Sequence, residues 1–444
     1  MLGTSSGYDA SMALRNLRAP YYGWVIVAAT SAALLFGAGI RVVPGAFLLD
    51  MVSDTGWSRA SLSLAAGIGL LVYGFTGPAA GSLMVRIGSR RVATIALLVT
   101  AVALGLSSLV EEEWQLTLVF GLLSGIGTGM IASVLGAAVA SRWFIRYRGL
   151  VVGIFGAASS AGQLLFYPLL SAMVEGSGWR SSALMLAAAA ALLAIPVALL
   201  MRNDPSDVGL APLGESAAER RAERTAEAGA MGRAVKTPTF WLLAGTFFVC
   251  GFSSNGVVGQ HFIAHAVDHG FTPGVAAEAL ALMGLFNFFG TIASGWLTDR
   301  IDPRKLLFVY YLFRGVSLLT LPAIHDSLGI VAFAVLFGID YIATVPPTAA
   351  IVGKLFGVRY LATLFGLTLL SHQIGGFFGA WLGGWAISAF GDYGWMWYAD
   401  MALAALAAVL NLPIQEPKIQ MADHRKYQQP LIQHLADISD EHQI

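Results

Sequence analysis

The chain has 444 residues, of which 57% are hydrophobic and only 12% charged, and its mean hydropathy is +0.70. Soluble domains carry roughly a quarter charged residues, so this composition excludes a soluble globular fold. Zero formal net charge argues against a nucleic-acid partner, and a single cysteine, Cys250, excludes an intrachain disulfide or a thiolate metal cluster.

Met1 to Pro20 is polar, with Arg15 and Arg18 just before a long apolar run. That order reads as a first membrane span that stays in the protein, not as a cleaved signal peptide. Apolar runs are continuous over about twenty residues, the length of a spanning helix and twice that of a spanning strand. Abundant Gly and Ala suit helices that pack closely in lipid. Helices are predicted near 21–49, 59–83, 92–110, 115–141, 149–174 and 181–201, then 238–266, 275–298, 306–324, 328–352, 361–387 and 394–413. The fold class is thus an all-α membrane protein of twelve spans in two six-helix halves, 21–201 and 238–413, with an N-terminal segment 1–20, a polar linker 202–237 and a polar tail 414–444.

Orientation follows from the basic residues. Arg86, Arg90, Arg91, Arg142, Arg146, Arg148, Arg300, Arg304, Lys305, Lys354 and Arg359 fall on one side with the linker and both termini, while Arg59 and Arg180 fall on the other. The positive-inside rule puts the first side in the cytoplasm. The ERRAER run of the linker is either a short amphipathic surface helix or a solvated charge cluster.

Between spans two and three the chain reads GSLMVRIGSRR, Gly81 to Arg91, and between spans eight and nine GWLTDRIDPRK, Gly295 to Lys305. The same short basic turn at the same place in each half marks an internal repeat. It resembles the loop motif of the major facilitator superfamily, G-x-L-x-D-R-x-G-R-K, with Gly81, Arg86, Arg90 and Arg91 in one copy and Gly295, Asp299, Arg300 and Arg304 in the other. The first copy has Val85 at the acidic position, so the resemblance implies a conformational latch mainly at Asp299. Tyr22-Gly23-Trp24 opening span one, and Arg142-Trp143-Phe144 through Arg148-Gly149, Gly153, Gly156 and Gly162 opening span five, look like the monocarboxylate-transporter group and its bacterial oxalate/formate-antiporter relatives. The alternative reading of the span-five pattern is a glycine-rich helix-packing face after a basic loop. The chain departs from that group in two ways. No arginine lies between Val275 and Thr298, where the resemblance implies a binding arginine, and His372 stands in span eleven where the oxalate-handling relatives use a lysine. Oxalate itself is therefore not the expected cargo. Span five also lacks the G-P-x-x-G-G pattern of proton-driven drug antiporters.

Charges inside lipid are expensive and ask for a partner or a cavity. Arg41, in the outer half of span one, is the first candidate for substrate contact, since a guanidinium grips a carboxylate through two parallel hydrogen bonds; the alternative is snorkelling to the surface. Arg314 in span nine and Asp340 in span ten lie at similar depth, either as a proton-sensitive site or as a permanent structural pair. Asn255, Asn287, Gln163, Tyr167 and His372 are candidate cavity-lining residues, and Asp400 in span twelve has no assigned role. His261 and His265, four apart, can share a helical face, but without a fixed carboxylate or cysteine nearby they point to a pore-lining or mouth position and not to a metal. The expectation is a transporter, not an enzyme, that moves a small carboxylate with a proton through the bacterial cytoplasmic membrane, acting as a monomer without a cofactor or metal. An exporter of a larger amphipathic compound and a non-transporting receptor are the rival readings.

Overall fold

The structure, a computed structural model, describes residues 21–144, 147–214, 235–298, 300–356 and 358–414. Among these residues the chain is helical apart from turns and one isolated bridge between Phe144 and Leu213. Eight helices are long and apolar enough to cross a membrane. One of them, Leu150–Leu200, holds spans five and six, separated at Gly178, whose φ of 74° is a conformation glycine adopts without steric penalty. Pro303–Leu318, Val358–Phe390 and Gly394–Leu410 supply spans nine, eleven and twelve, which completes the twelve-helix architecture.

Several spans differ from simple apolar rods, each for a visible reason. Span one consists of Gly23–Arg41 and Val43–Thr55 and runs past its predicted end at 49. Its last turns are polar yet ordered, because Asp50 accepts from the Trp179 backbone N–H at 2.9 Å while Asp54 accepts from Trp179 Nε1 at 3.0 Å and pairs with Arg180 at 3.2 Å. Spans four and seven each contain a π-helical turn, Thr117–Leu123 and Phe252–Val258. Span ten stops at Asp340 and restarts at Val345. Pro346 and Pro347 fall in the first turn of the restarted helix, where a missing N–H breaks no helical hydrogen bond.

The start of span one and the beginning of the linker pack at one end of the bundle, here termed the linker end. Tyr21 donates its hydroxyl to the carbonyls of Trp143 and Ala211, and Tyr22 donates to that of Leu200 at 2.7 Å. At the same end Asp302 caps span nine by accepting from the Arg304 N–H at 2.9 Å and pairs with the Arg304 guanidinium at 2.6 Å, which holds its carboxyl below the ordinary carboxylate range.

Glycine allows the two halves to touch. Span two meets span eleven where Gly67 faces Phe377, Gly74 faces Gln373 and Ser63 faces Gly384. Span one meets span seven where Gly45 lies on the backbone of Gly259 and Gln260. At the end remote from the linker, Arg59 of span two binds Asp268 of span seven through two bonds of 2.6 and 2.9 Å. Inside the second half, spans seven and eleven interlock closely, with Gly251 against the His372 backbone and Gly375 against that of Phe248. Span four turns Gly121, Gly125 and Gly129 toward span two in the same way.

Candidate functional site

A narrow cavity lies between the halves, lined by Arg41 and Val42 of span one, Leu70 of span two, Gln163 and Tyr167 of span five, Asn255, Gly259 and Gln260 of span seven, and Tyr341 of span ten. It has room for little more than a water molecule, about 10 Å³. Local backbone breaks place its polar groups. Arg41 closes the first helical segment of span one, and Val42 joins it to the second. Asn255 rides on the π-helical turn of span seven, and Tyr341 sits where span ten is broken.

Among the described residues, no carboxylate pairs with Arg41 and no hydrogen bond engages it; its guanidinium lies 5.1 Å from the centre of the Tyr73 ring. The cavity wall is otherwise neutral and polar. Tyr341 donates its hydroxyl to the Ser254 carbonyl at 3.1 Å, and Tyr167 donates to the Gly259 carbonyl at 3.5 Å. Gln260 donates through Nε2 to the Asn255 carbonyl at 3.4 Å, and its buried Oε1 has no partner among the described residues. A second lobe adjoins the first, sharing Gln163, Tyr167 and Tyr341 but closed by Leu280, Met283 and Gly284 of span eight. The site thus offers one uncompensated cation at one end and an apolar wall at the other.

Arg314 and Asp340 are separate from this cavity lining. They form a fully buried pair, with Arg314 Nε donating to Asp340 Oδ2 at 2.7 Å. The same guanidinium donates to the carbonyls of Asp340, Tyr341 and Cys250 at 2.9, 3.1 and 3.3 Å. Arg314 thereby saturates the carbonyls freed where span ten breaks, which spares them an uncompensated burial. Asn287 supports that break from span eight: it is buried, and its Oδ1 accepts from the Ile342 N–H and the Thr291 hydroxyl, both at 3.2 Å. It is not part of the cavity lining. His372 packs its ring against Phe247, with centroids 5.0 Å apart, and its buried Nδ1 has no partner among the described residues.

Gln163, Tyr167, Asn255 and Arg41 are therefore brought to one cavity, and Asn287, His372, Arg314 and Asp340 lie around it in the second half. Tyr73, Tyr341, Leu280 and Met283 are lining or flanking residues that sequence reasoning did not single out. Pro346-Pro347, just beyond the break of span ten, is the sequence signal that could have pointed to Tyr341. His261 bonds the Ala380 carbonyl at 2.7 Å, and His265 accepts from Trp397 Nε1 at 3.3 Å. Of the loop-motif residues, Gly81 packs on Val134, Arg86 and Arg91 are exposed, the Arg90 N–H is taken up by Asn203 at 3.1 Å, and Gly295 has open space around it. Arg300 lies over the Trp296 ring, 4.0 Å from its centroid. Asp299, residues 1–20, the ERRAER run and the tail from 415 lie outside the described residues.

A family model described as Major Facilitator Superfamily matches residues 29–338 and 262–436. Monocarboxylate transporter 13 of Rattus norvegicus is 28% identical over 381 residues, covering 84% of each chain. The MFS-type transporter YcxA of Bacillus subtilis (strain 168) is 24% identical over 376 residues, 82% of this chain and 88% of its own. The oxalate:formate antiporter of Oxalobacter formigenes is 28% identical over 283 residues, 62% of each chain. Among solved structures, a bacterial homolog of the human lysosomal transporter Spinster superposes with a TM-score of 0.68 at 17% identity, covering 89% of this chain and 95% of the other. A D-xylose-proton symporter superposes with a TM-score of 0.67 at 17% identity, covering 90% and 99%.

Proposed function

From membership of the Major Facilitator Superfamily, to which this chain belongs, we propose that it carries a small monocarboxylate-like anion across the bacterial cytoplasmic membrane by alternating access, together with a proton. The observation that carries this reading is the unpaired Arg41 in a cavity whose other lobe is apolar. A cation with no internal partner has its strongest bonds still to make, and a carboxylate meets its planar fork with two of them. The wall of Leu280 and Met283 suits a short apolar tail, and the amides of Gln163, Asn255 and Gln260 orient the rest. The names carried by the relatives, monocarboxylate transporter and oxalate:formate antiporter, support an organic anion as cargo.

In this reading the linker end faces the cytoplasm, as the distribution of basic residues favours. Contacts such as Arg59–Asp268 then close the outer side, and the cavity is too narrow for a carboxylate until its walls part. Coupling is assigned to Asp340 with Arg314 as its counter-charge, a buried ionic group in direct bond with the break of span ten that carries Tyr341.

Uptake of labelled small carboxylates into vesicles holding the purified protein, with and without an inward proton gradient, tests the proposal. Saturable uptake of at least one of them, stimulated by the gradient, is the expected result. If no carboxylate moves under either condition, the anion reading is wrong, and the cargo belongs among neutral or larger amphipathic compounds.

A further inference from the structure

Asp400 lies in the middle of span twelve, fully buried. The Ser253 hydroxyl donates to its Oδ1, and its Oδ2 has no partner among the described residues. The elements packed around it bring few charged or titratable groups. Span nine brings Arg314, with Tyr311 beside it, span seven brings Cys250 and Ser253, and Asp340 of span ten is bonded to the same guanidinium. Span eleven brings His372, which is within electrostatic range of the same Arg314. Among the described residues Arg314 is thus the one cation within electrostatic range of both buried carboxylates, whose joint charge when ionised exceeds its own by one. Asp340 holds the guanidinium directly, through Oδ2, whereas Asp400 touches no cation.

A buried ionised carboxylate needs a counter-charge or several donors. Asp340 has the counter-charge; Asp400 has one hydroxyl. We propose that Asp400 holds the exchangeable proton of this cluster, on the carboxyl whose other oxygen Ser253 fixes. Release breaks the O–H bond of Asp400, hands the proton to water admitted when the walls of the cavity part, and leaves a carboxylate, so that one guanidinium faces two negative charges. Ser253 belongs to the π-helical turn Phe252–Val258, which also presents the Ser254 carbonyl to Tyr341 and carries Asn255 into the cavity. π-Helical turns recur at functional sites, where one extra residue per turn leaves the backbone poised to shift. A change of charge at Asp400 is therefore felt by the turn that lines the site. The inference rests on the proton-coupled reading above and adds to its Arg314–Asp340 pair the neighbouring carboxyl, Asp400, on which the proton resides while that pair stays bonded.

Infrared spectroscopy of the purified full chain in lipid, without any substrate, tests the assignment. A carbonyl-stretch band of a protonated carboxyl group is expected at neutral pH. It disappears in Asp400→Asn, and in Ser253→Ala, which changes no charge, it shifts to higher wavenumber because the hydroxyl bond is gone. Ser253 bonds Asp400 and not Asp340, so a band indifferent to Ser253→Ala overturns the assignment to Asp400. So does the absence of any such band in the unmodified protein. The vesicle experiment answers the separate question of whether a proton travels with cargo, so the two readings fail independently.

Discussion

A guanidinium over an aromatic ring, with no acid bonded to it among the described residues, is a costly thing to keep inside a membrane protein, and Arg41 stands so where span one changes segment at Val42. If the residue grips a carboxylate, the flat fork matters as much as the charge. Arg41→Lys keeps the charge but not the two parallel bonds, so the half-saturating substrate concentration is expected to rise about tenfold, near 1.4 kcal/mol of binding. Arg41→Ala is expected to abolish saturable uptake, and initial-rate measurements in vesicles decide both. An unchanged concentration dependence in the lysine variant removes Arg41 from the site. At this scale the sequence was informative about which residues are out of place in lipid and much less about where each one points. Successive residues in a helix are about 100° apart, so Asn287 and Asn255 read alike until the structure turns one toward the break of span ten and the other toward the cavity. Tyrosines such as Tyr73 and Tyr341 escaped notice because an amphipathic ring gives no contrast against apolar neighbours.

Spans seven and eleven form one interlocked element, and their closeness is dictated by glycine. A methyl group added at Gly251 runs into the His372 backbone, which has nowhere to yield because Gly375 and Gly379 lie equally close to Phe248 and Phe252. Gly251→Ala is therefore expected to destabilise the protein by about 1–3 kcal/mol through overpacking, read as a lower Tm in detergent. Gly245→Ala, six residues earlier on an exposed face with open space around it, serves as the control and leaves Tm unchanged or slightly raised. Equal melting of the two variants contradicts the interlocked packing. Element identity was plain from hydropathy, since long apolar runs admit few alternatives. The π-helical turns and the fusion of spans five and six at Gly178 were not, because they are set by packing between helices and leave no periodic trace.

For the whole molecule, the two-bond contact between Arg59 and Asp268 joins the halves at the end remote from the linker. Partly exposed pairs of this kind are worth about 1 kcal/mol or less, enough to bias a rocking equilibrium without locking it. Arg59→Gln is expected to lengthen the distance between spin labels at Ser53 and Glu278, exposed positions on the two halves near that end, in a larger share of molecules. Buried Cys250, its Sγ 3.1 Å from the Thr344 hydroxyl, does not compete for the label. An unaltered distance distribution excludes the pair as a brace. The twelve-helix architecture was legible from the repeated basic turns and from apolar run lengths, whereas the meeting of the halves depends on side chains far apart in the chain, as Arg59 and Asp268 are. The Arg314–Asp340 bond bears also on biosynthesis. Arg314 emerges from the ribosome 26 residues ahead of its partner, and a lone arginine at the centre of a helix costs about 2.5–3.5 kcal/mol to pass from translocon to lipid. Span nine, Pro303–Leu318, is not among the helices long and apolar enough to make that crossing unaided. Its entry into the bilayer is expected to be easier together with span ten, as a hairpin in which the two charges cancel.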